Sequence, residues 1–128
     1  MFKWFLIAVG GAFGSVLRYA LQGVVQRLTE GDFPLGTLIV NVLGCLVMGF
    51  LCGMFDGPLL VREEYKIGLR VGLLGGFTTF SAFGLESFQL GANGQYRSMG
   101  LYVALSCGLC IAAVWLGYRL AEYRYGIY

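Results

Sequence analysis

The sequence predicts an all-α integral membrane protein with four transmembrane helices, the third of them broken at mid-membrane. First, 58% of the 128 residues are hydrophobic, only 12% are charged, and the mean hydropathy is +0.74. Second, the chain holds four long apolar stretches, and about 20 apolar residues are enough to span a bilayer as a helix. Third, Gly75-Gly76 and Thr78-Thr79 lie inside the third stretch. Glycine weakens a helix, and threonine hydroxyls compete for its backbone hydrogen bonds.

The four apolar stretches predict helices at about 2–28, 36–55, 65–90 and 99–122. Pro34 stands just before the second helix, where a proline suits a helix start. The helices use up most of the chain. We therefore expect residues 1–128 to form a single membrane domain.

Glycines recur at four-residue spacing within the apolar stretches. Small residues on one helix face let two membrane helices approach closely, since lipid supplies no hydrophobic drive for their association. The pattern therefore predicts tight helix packing at these positions, which are Gly10 and Gly14, Gly49 and Gly53, and Gly68, Gly72 and Gly76.

The ionisable residues exclude several function classes. The net charge is +2 and histidine is absent, so nucleic-acid binding is not expected. The sequence has no cofactor fingerprint, and Glu86 is the only acid well inside a predicted span, so we do not expect an enzyme. The thiols of Cys45, Cys52, Cys107 and Cys110 lie in apolar runs, and the Cys107–Cys110 pair lacks the further ligands that zinc needs.

The basic residues give a modest topological bias. Five lie on the side of the predicted termini and two on the other side. By the positive-inside rule this favours cytoplasmic termini only weakly. Arg18 is open to two interpretations: it reaches the membrane interface from near a helix end, or it anchors a polar network or draws anions into a vestibule.

The stretch from Gly75 to Phe83 indicates an ion pathway. An aromatic ring has a positive edge, so Phe80 and Phe83 can turn their edges towards an anion. Asn41 adds an uncharged donor, although a lone Asn in a membrane helix can equally bond to a neighbouring helix. Without any resemblance, phenylalanines at such positions belong more often to a packed core than to a pore. Further neutral donors are Ser81 and Ser106.

Three motifs in this order resemble the fluoride ion channel family, also called Fluc or CrcB-type. They are Gly10-Gly11-Ala12-Phe13-Gly14 with Arg18-Tyr19, Phe33-Pro34-Leu35-Gly36-Thr37-Leu38 running into Val40-Asn41-Val42-Leu43-Gly44, and Gly75-Gly76-Phe77-Thr78-Thr79-Phe80-Ser81-Ala82-Phe83 with Glu86. The resemblance covers essentially the whole chain. It implies an antiparallel, dual-topology homodimer with two fluoride pores and a structural sodium ion (Na+) at its centre.

The resemblance also implies roles for individual residues. Phe80 and Phe83 match the aromatic pore residues, and backbone carbonyls of Gly75 and Thr78 match the sodium ligands. Arg18 and Glu86 match polar positions near the vestibules, without a firm role. The remaining matches are pore positions, namely the donors Asn41 and Ser81, and Tyr102, Ser106 and Cys110 along one face of the fourth helix. Cys110 stands where the family continues a hydroxyl track, and a thiol is a weak donor.

The resemblance implies passive fluoride export across the plasma membrane of a prokaryote, the inner membrane if the cell is Gram-negative. The implied partners are the fluoride ion, a second copy of the chain and the lipid bilayer. A small four-span multidrug exporter is the main alternative, but its proton coupling needs an acid in the first helix, and none occurs between Met1 and Thr29. A second alternative is a packing subunit that transports nothing.

Overall fold

The computed structural model describes residues 1–126, and its regular elements are helices. They are α1 (Phe2–Leu28), α2 (Leu35–Asp56), α3 (an α-helix over Glu63–Ile67, a π-helix over Gly68–Leu74 and an α-helix over Gly75–Phe77), α4 (Phe80–Ala92) and α5 (Tyr96–Tyr125). Four helical segments are long and apolar enough to cross a membrane: α1, α2, the broken segment Glu63–Ala92 and α5. The expected four-span, all-helical, multi-pass architecture is therefore confirmed. The fourth span starts three residues earlier than predicted.

The third span is broken between α3 and α4, at two threonines. Thr78 (φ −83°, ψ 154°) and Thr79 (φ −146°, ψ 115°) are both extended. The glycine pair was expected to weaken the helix, yet Gly75 and Gly76 remain helical. A Cβ on Gly76 would lie 2.6 Å from the carbonyl oxygen of Gly11, so this glycine serves close packing against α1. The threonines, rather than the glycines, carry the break.

The glycine repeats hold two helix pairs together. A Cβ at Gly10 would lie 2.9 Å from the Gly68 carbonyl oxygen, and one at Gly14 would overlap the carbonyl of Leu73, so α1 packs directly on the backbone of α3. In α2, a Cβ at Gly49 would overlap the carbonyl of Val114 in α5. The prediction that these glycines mediate tight packing is confirmed.

The ion pairs among residues 1–126 lie at one end of the bundle. Glu63 lies 3.8 Å from both Lys66 and Arg70, and Arg119 pairs with Glu122 at 2.9 Å. This end holds the start of α3 and the ends of α2 and α5. Most large side chains elsewhere on the outside are apolar and exposed, including Trp115 and Phe88. That distribution suits helices surrounded by lipid.

Candidate functional site

Asn41 of α2 holds the break in the third span. Its Oδ1 accepts a hydrogen bond from the Thr79 backbone N–H at 2.8 Å, and its Nδ2 donates to the Thr79 carbonyl at 3.0 Å. The first bond satisfies a backbone N–H that has lost its helical partner, and the second adds a donor to the carbonyl at which α4 begins. The structure thus gives Asn41 the helix-bridging role that the sequence left open, and one amide hydrogen remains for a ligand.

The break frees two carbonyl oxygens from their usual helical partners. In a continuous helix the Thr79 N–H would bond to the Gly75 carbonyl, but here it bonds to Asn41. The Ala82 N–H would bond to the Thr78 carbonyl, but it donates to Thr79 Oγ1 at 3.2 Å. These two carbonyls are the ones that the resemblance assigns to sodium.

Arg18 reaches the same break from α1. Its Nε donates to the carbonyl oxygen of Gly76 at 3.2 Å. The Gly76 carbonyl lies at the C-terminal end of α3, where the helix dipole favours a positive charge. Of the two interpretations of Arg18, the structure favours the one in which its side chain anchors a polar network.

The start of α4 forms the other side of the break. Thr79 caps this helix through its bond from the Ala82 N–H, and its Oγ1 lies 3.3 Å from Ser81 Oγ. A helix N-terminus presents free N–H groups and a partial positive charge. The positive end of α4 and the negative end of α3 therefore meet at Thr78 and Thr79.

A cavity of about 350 Å³ lies beside the break, between α2, α4 and α5. Its wall combines aromatic rings, hydroxyls, an amide and thiols. The lining residues are Asn41, Cys45, Thr78, Thr79, Phe80, Phe83, Ser106, Cys107, Cys110 and Ile111. Five of the seven residues predicted to line a pore therefore surround one space, and the other two, Ser81 and Tyr102, do not.

Three aromatic rings form a stack behind the cavity. Phe80 and Phe83 have ring centroids 5.3 Å apart and an interplanar angle of 46°. Tyr102 stacks on the far face of this pair, 5.3 Å from Phe83 at 15°. Tyr102 is fully buried, whereas Phe80 is 82% exposed. Tyr102 was predicted as a pore residue. In the structure its ring packs against Phe83, and it does not line the cavity.

Ser106 supplies an unpaired hydroxyl to the cavity. Its side chain is only 6% exposed, and its Oγ finds no hydrogen-bond partner among residues 1–126. A buried hydroxyl without a partner costs free energy, so it is ready to donate to a ligand. Cys110 lies one helical turn further along α5 and lines the same cavity.

Glu86 is the centre of a buried polar chain that the sequence did not predict. Its Oε1 accepts from the Thr37 hydroxyl and its Oε2 from the Tyr102 hydroxyl, both at 2.8 Å. Gln22 Nε2 in turn donates to Thr37 Oγ1 at 2.9 Å, which links α1 to the chain. Thr37 lies four residues before Asn41 on α2, so this shared helix face was the available signal.

A second cavity of about 450 Å³ opens next to this polar chain. Arg18 and Glu86 both line it, and so do Gln22, Gln26 and Asp32. The structure thus brings together the two residues that the sequence matched to vestibule positions. Ala82 of α4 is also part of the wall of this second cavity.

The fold and the site define a multi-pass helical membrane protein with a polar and aromatic cavity inside its span, a protein of the transport class. A comparison with known proteins identifies the family within this class. Residues 5–118 match the family model described as CrcB-like protein, Camphor Resistance (CrcB). The chain belongs to this family.

Two bacterial relatives have the same name. The chain is 44% identical to "Fluoride-specific ion channel FluC" of Nitratidesulfovibrio vulgaris over 117 residues, which is 91% of this chain and 94% of that protein. It is 46% identical over 114 residues to the protein of the same name in Rhizobium etli strain CIAT 652, covering 89% and 91% of the two chains. The family is thus one of ion channels rather than enzymes.

Proposed function

We propose that this chain is a fluoride-selective passive ion channel that lets fluoride leave the cytoplasm. The observation that carries the proposal is the cavity beside the break, where two phenylalanine rings, the Asn41 amide and the unpaired Ser106 hydroxyl surround one space. Relatives that are at least 44% identical and nearly equal in length are named as fluoride-specific channels. The chemistry of the cavity and the names of the relatives agree.

The wall of the cavity suits a small anion that must also leave. Asn41, Ser106 and the ring edges of Phe80 and Phe83 offer positive partial charge, and none of them carries a full charge. The N-terminus of α4 adds a fixed dipole with its positive end at Thr79. Neutral donors bind an anion without trapping it, which conduction requires.

The α3 side of the break suits a sodium ion. The carbonyls of Gly75 and Thr78 have lost their helical N–H partners to Asn41 and Thr79, and hard cations prefer such oxygen ligands. Two carbonyls are too few for one cation. A second, antiparallel copy would bring two more, so the residues present fit a structural Na+ shared between two subunits.

An antiparallel, dual-topology homodimer with two pores would also complete the cavity. Phe80 is 82% exposed although it lies at the centre of a span beside polar groups. Contact with a second subunit would bury this ring and close the open side of the cavity. The weak bias of basic residues permits insertion in both orientations.

The direction of transport follows from acid chemistry and membrane potential. Hydrogen fluoride crosses lipid uncharged and ionises in a near-neutral cytoplasm. An inside-negative potential then drives the anion outward with about 2.3 kcal/mol per 100 mV. A passive path in the prokaryotic plasma membrane, or the inner membrane of a Gram-negative cell, therefore suffices without proton coupling.

The test is anion efflux from liposomes that contain the purified protein. We expect rapid fluoride efflux, measured with a fluoride electrode after potassium permeability is supplied, and hardly any chloride efflux. Phe80→Ile should suppress fluoride efflux, since it removes the ring edge at the cavity. Phe88→Ile, on the same helix and exposed away from the cavity, is the matched control and should conduct normally. Equal efflux of fluoride and chloride would rule out the proposed selectivity.

A further inference from the structure

Three of the four cysteines line the cavity beside the break. Cys107 and Cys110 come from α5, Cys45 comes from α2, and Cys52 is not part of the wall. All four are free thiols. Neither the family match nor the names of the relatives assigns these thiols a role. A cluster of soft sulfur ligands in a cavity otherwise lined by rings and hydroxyls raises the question of what it could bind.

The helix register sets Cys45 opposite Cys110. The α2 and α5 helices run in the same direction and touch at two glycines: a Cβ on Gly49 would overlap the carbonyl of Val114, and one on Gly53 would lie 3.0 Å from the carbonyl of Tyr118. Cys45 and Cys110 have the same sequence separation as these two pairs and lie one turn before the first. Cys45 and Cys110 therefore face one another in the cavity that both of them line.

We propose that Cys45 and Cys110 form a binding site for one soft monovalent cation, Cu+ or its redox-inert analogue Ag+, held linearly between two thiolates. Soft thiolate ligands select such cations, and thiols must lose their protons to bind them. Two thiols and one Ag+ give a bis-thiolate complex and two released protons, with no change of oxidation state. The exposed Cys107, on the same face of α5, marks the open side of the cavity through which the cation enters.

The bound cation would close the path to fluoride. Two thiolates and one monovalent cation leave a net charge of −1 in a cavity that otherwise offers neutral donors to an anion. Like charge at close range in a medium of low dielectric constant repels a second anion strongly. The complex would also fill the space beside Ser106, the unpaired donor of the same wall. This consequence rests on the proposed channel function, whereas the binding site itself does not.

The first experiment measures binding alone. Purified full-length protein is dialysed against silver nitrate in chloride-free buffer with excess thiourea, which competes for silver held by a single thiol. We expect one Ag+ per chain in the wild type and in Cys52→Ser/Cys107→Ser. Adding Cys45→Ser to that double variant should weaken binding at least about tenfold, since two ligands become one. Size-exclusion profiles check that each variant is folded.

Two results with the cysteine variants would contradict the proposed site. If Cys52→Ser or Cys107→Ser alone weakens silver binding as much as Cys45→Ser does, the thiols bind independently and the paired site is wrong. Retention of full binding in the variant without Cys45 would overturn it equally.

The second experiment adds silver, with the same excess of thiourea, to liposomes in fluoride medium, where silver stays soluble. Silver should lower fluoride efflux through the Cys52→Ser/Cys107→Ser variant at least about tenfold. The triple variant that also carries Cys45→Ser should show the same fluoride efflux with and without silver. Silver binding without any fluoride efflux in untreated liposomes would refute the channel and leave the site standing. Efflux that silver does not change in the double variant, despite bound silver, would show that the site lies off the path.

Discussion

At the scale of single residues, one amide side chain accounts for the shape of the third span. Asn41 replaces the lost helical partner of the Thr79 N–H at 2.8 Å and also donates to the Thr79 carbonyl at 3.0 Å, which makes an extended residue tolerable within a membrane helix. Irregular backbone at membrane depth is stable only where protein or water satisfies it. Because Asn41 takes the Thr79 N–H, the Gly75 carbonyl is left for another ligand. The proposed anion site and the proposed sodium site thus depend on the same side chain.

Asn41→Ala should therefore destabilise the protein more than an ordinary loss of a polar side chain. It leaves the Thr79 backbone N–H without a partner, at a cost of about 1–3 kcal/mol, and removes one of the bonds to the Thr79 carbonyl. Thermal unfolding of the detergent-solubilised protein measures the effect. Asn93→Ala, at an exposed position after α4, is the matched control and should change stability by less than about 0.5 kcal/mol. Equal effects of the two substitutions would contradict the role of Asn41.

The residues of the site were only partly predictable from sequence. Asn41 stands out in an apolar helix, but its partner depends on where the third span breaks, and that depends on packing against α1. Ser81 was placed in the pore by its position in a motif and Tyr102 by its spacing from Ser106. In the structure Ser81 Oγ lies 3.3 Å from Thr79 Oγ1, and Tyr102 stacks on Phe83 and donates to the Glu86 carboxylate. Thr37 was missed although it shares a helix face with Asn41, and Gln22 was missed because a single Gln in a helix gives no distinctive signal.

At the scale of the elements, glycines decide which helices touch. Gly10 and Gly14 let α1 lie on the backbone of α3, and Gly49 and Gly53 do the same for α2 and α5. The four-residue spacing of the glycines predicted these packing faces, because small residues on one face of a membrane helix mainly serve close helix packing. The π-helix at Gly68–Leu74 was not predicted, since widening of a helix by one residue per turn reflects packing rather than composition.

Alanine at Gly14 should separate α1 from α3. Its Cβ would overlap the carbonyl of Leu73 and lie 3.0 Å from the Phe77 amide nitrogen, and neither backbone group can move without shifting a helix. We expect a loss of about 1–3 kcal/mol in stability, as for other overpacked interiors, seen as a lower thermal unfolding temperature in detergent. Gly23→Ala lies on the same helix with nothing within 4 Å and should be neutral or slightly stabilising. A harmless Gly14→Ala would mean that α1 and α3 are less closely packed than described.

At the scale of the whole molecule, one copy of the chain leaves its central groups open. Phe80 is 82% exposed, Gly75 is exposed, and the cavity beside the break has an open side at Cys107. Lipid tails cannot bond to the free carbonyls of the break, and unsatisfied polar groups in hydrocarbon cost several kcal/mol each. A second copy in the opposite orientation would bring complementary groups to the same level of the membrane. The incomplete centre is therefore the strongest physical argument for the antiparallel dimer.

The antiparallel dimer predicts that the termini appear on both faces of the membrane. A single cysteine added at the N-terminus of a variant lacking the four native thiols should react only in part with an impermeant maleimide added outside sealed cells, and fully once the cells are opened. About half of the chains should be labelled from outside, because the bias of five basic residues against two is too weak to fix one orientation.

Three further lysines added to the loop between α1 and α2 should drive that loop to the cytoplasm and leave the N-terminus outside. Labelling from outside should then rise, and fluoride efflux should fall because partners of opposite orientation disappear. If the variant without the added lysines is labelled from outside either completely or not at all, the chains have a single orientation. The proposed shared sodium site would then lose its geometric basis.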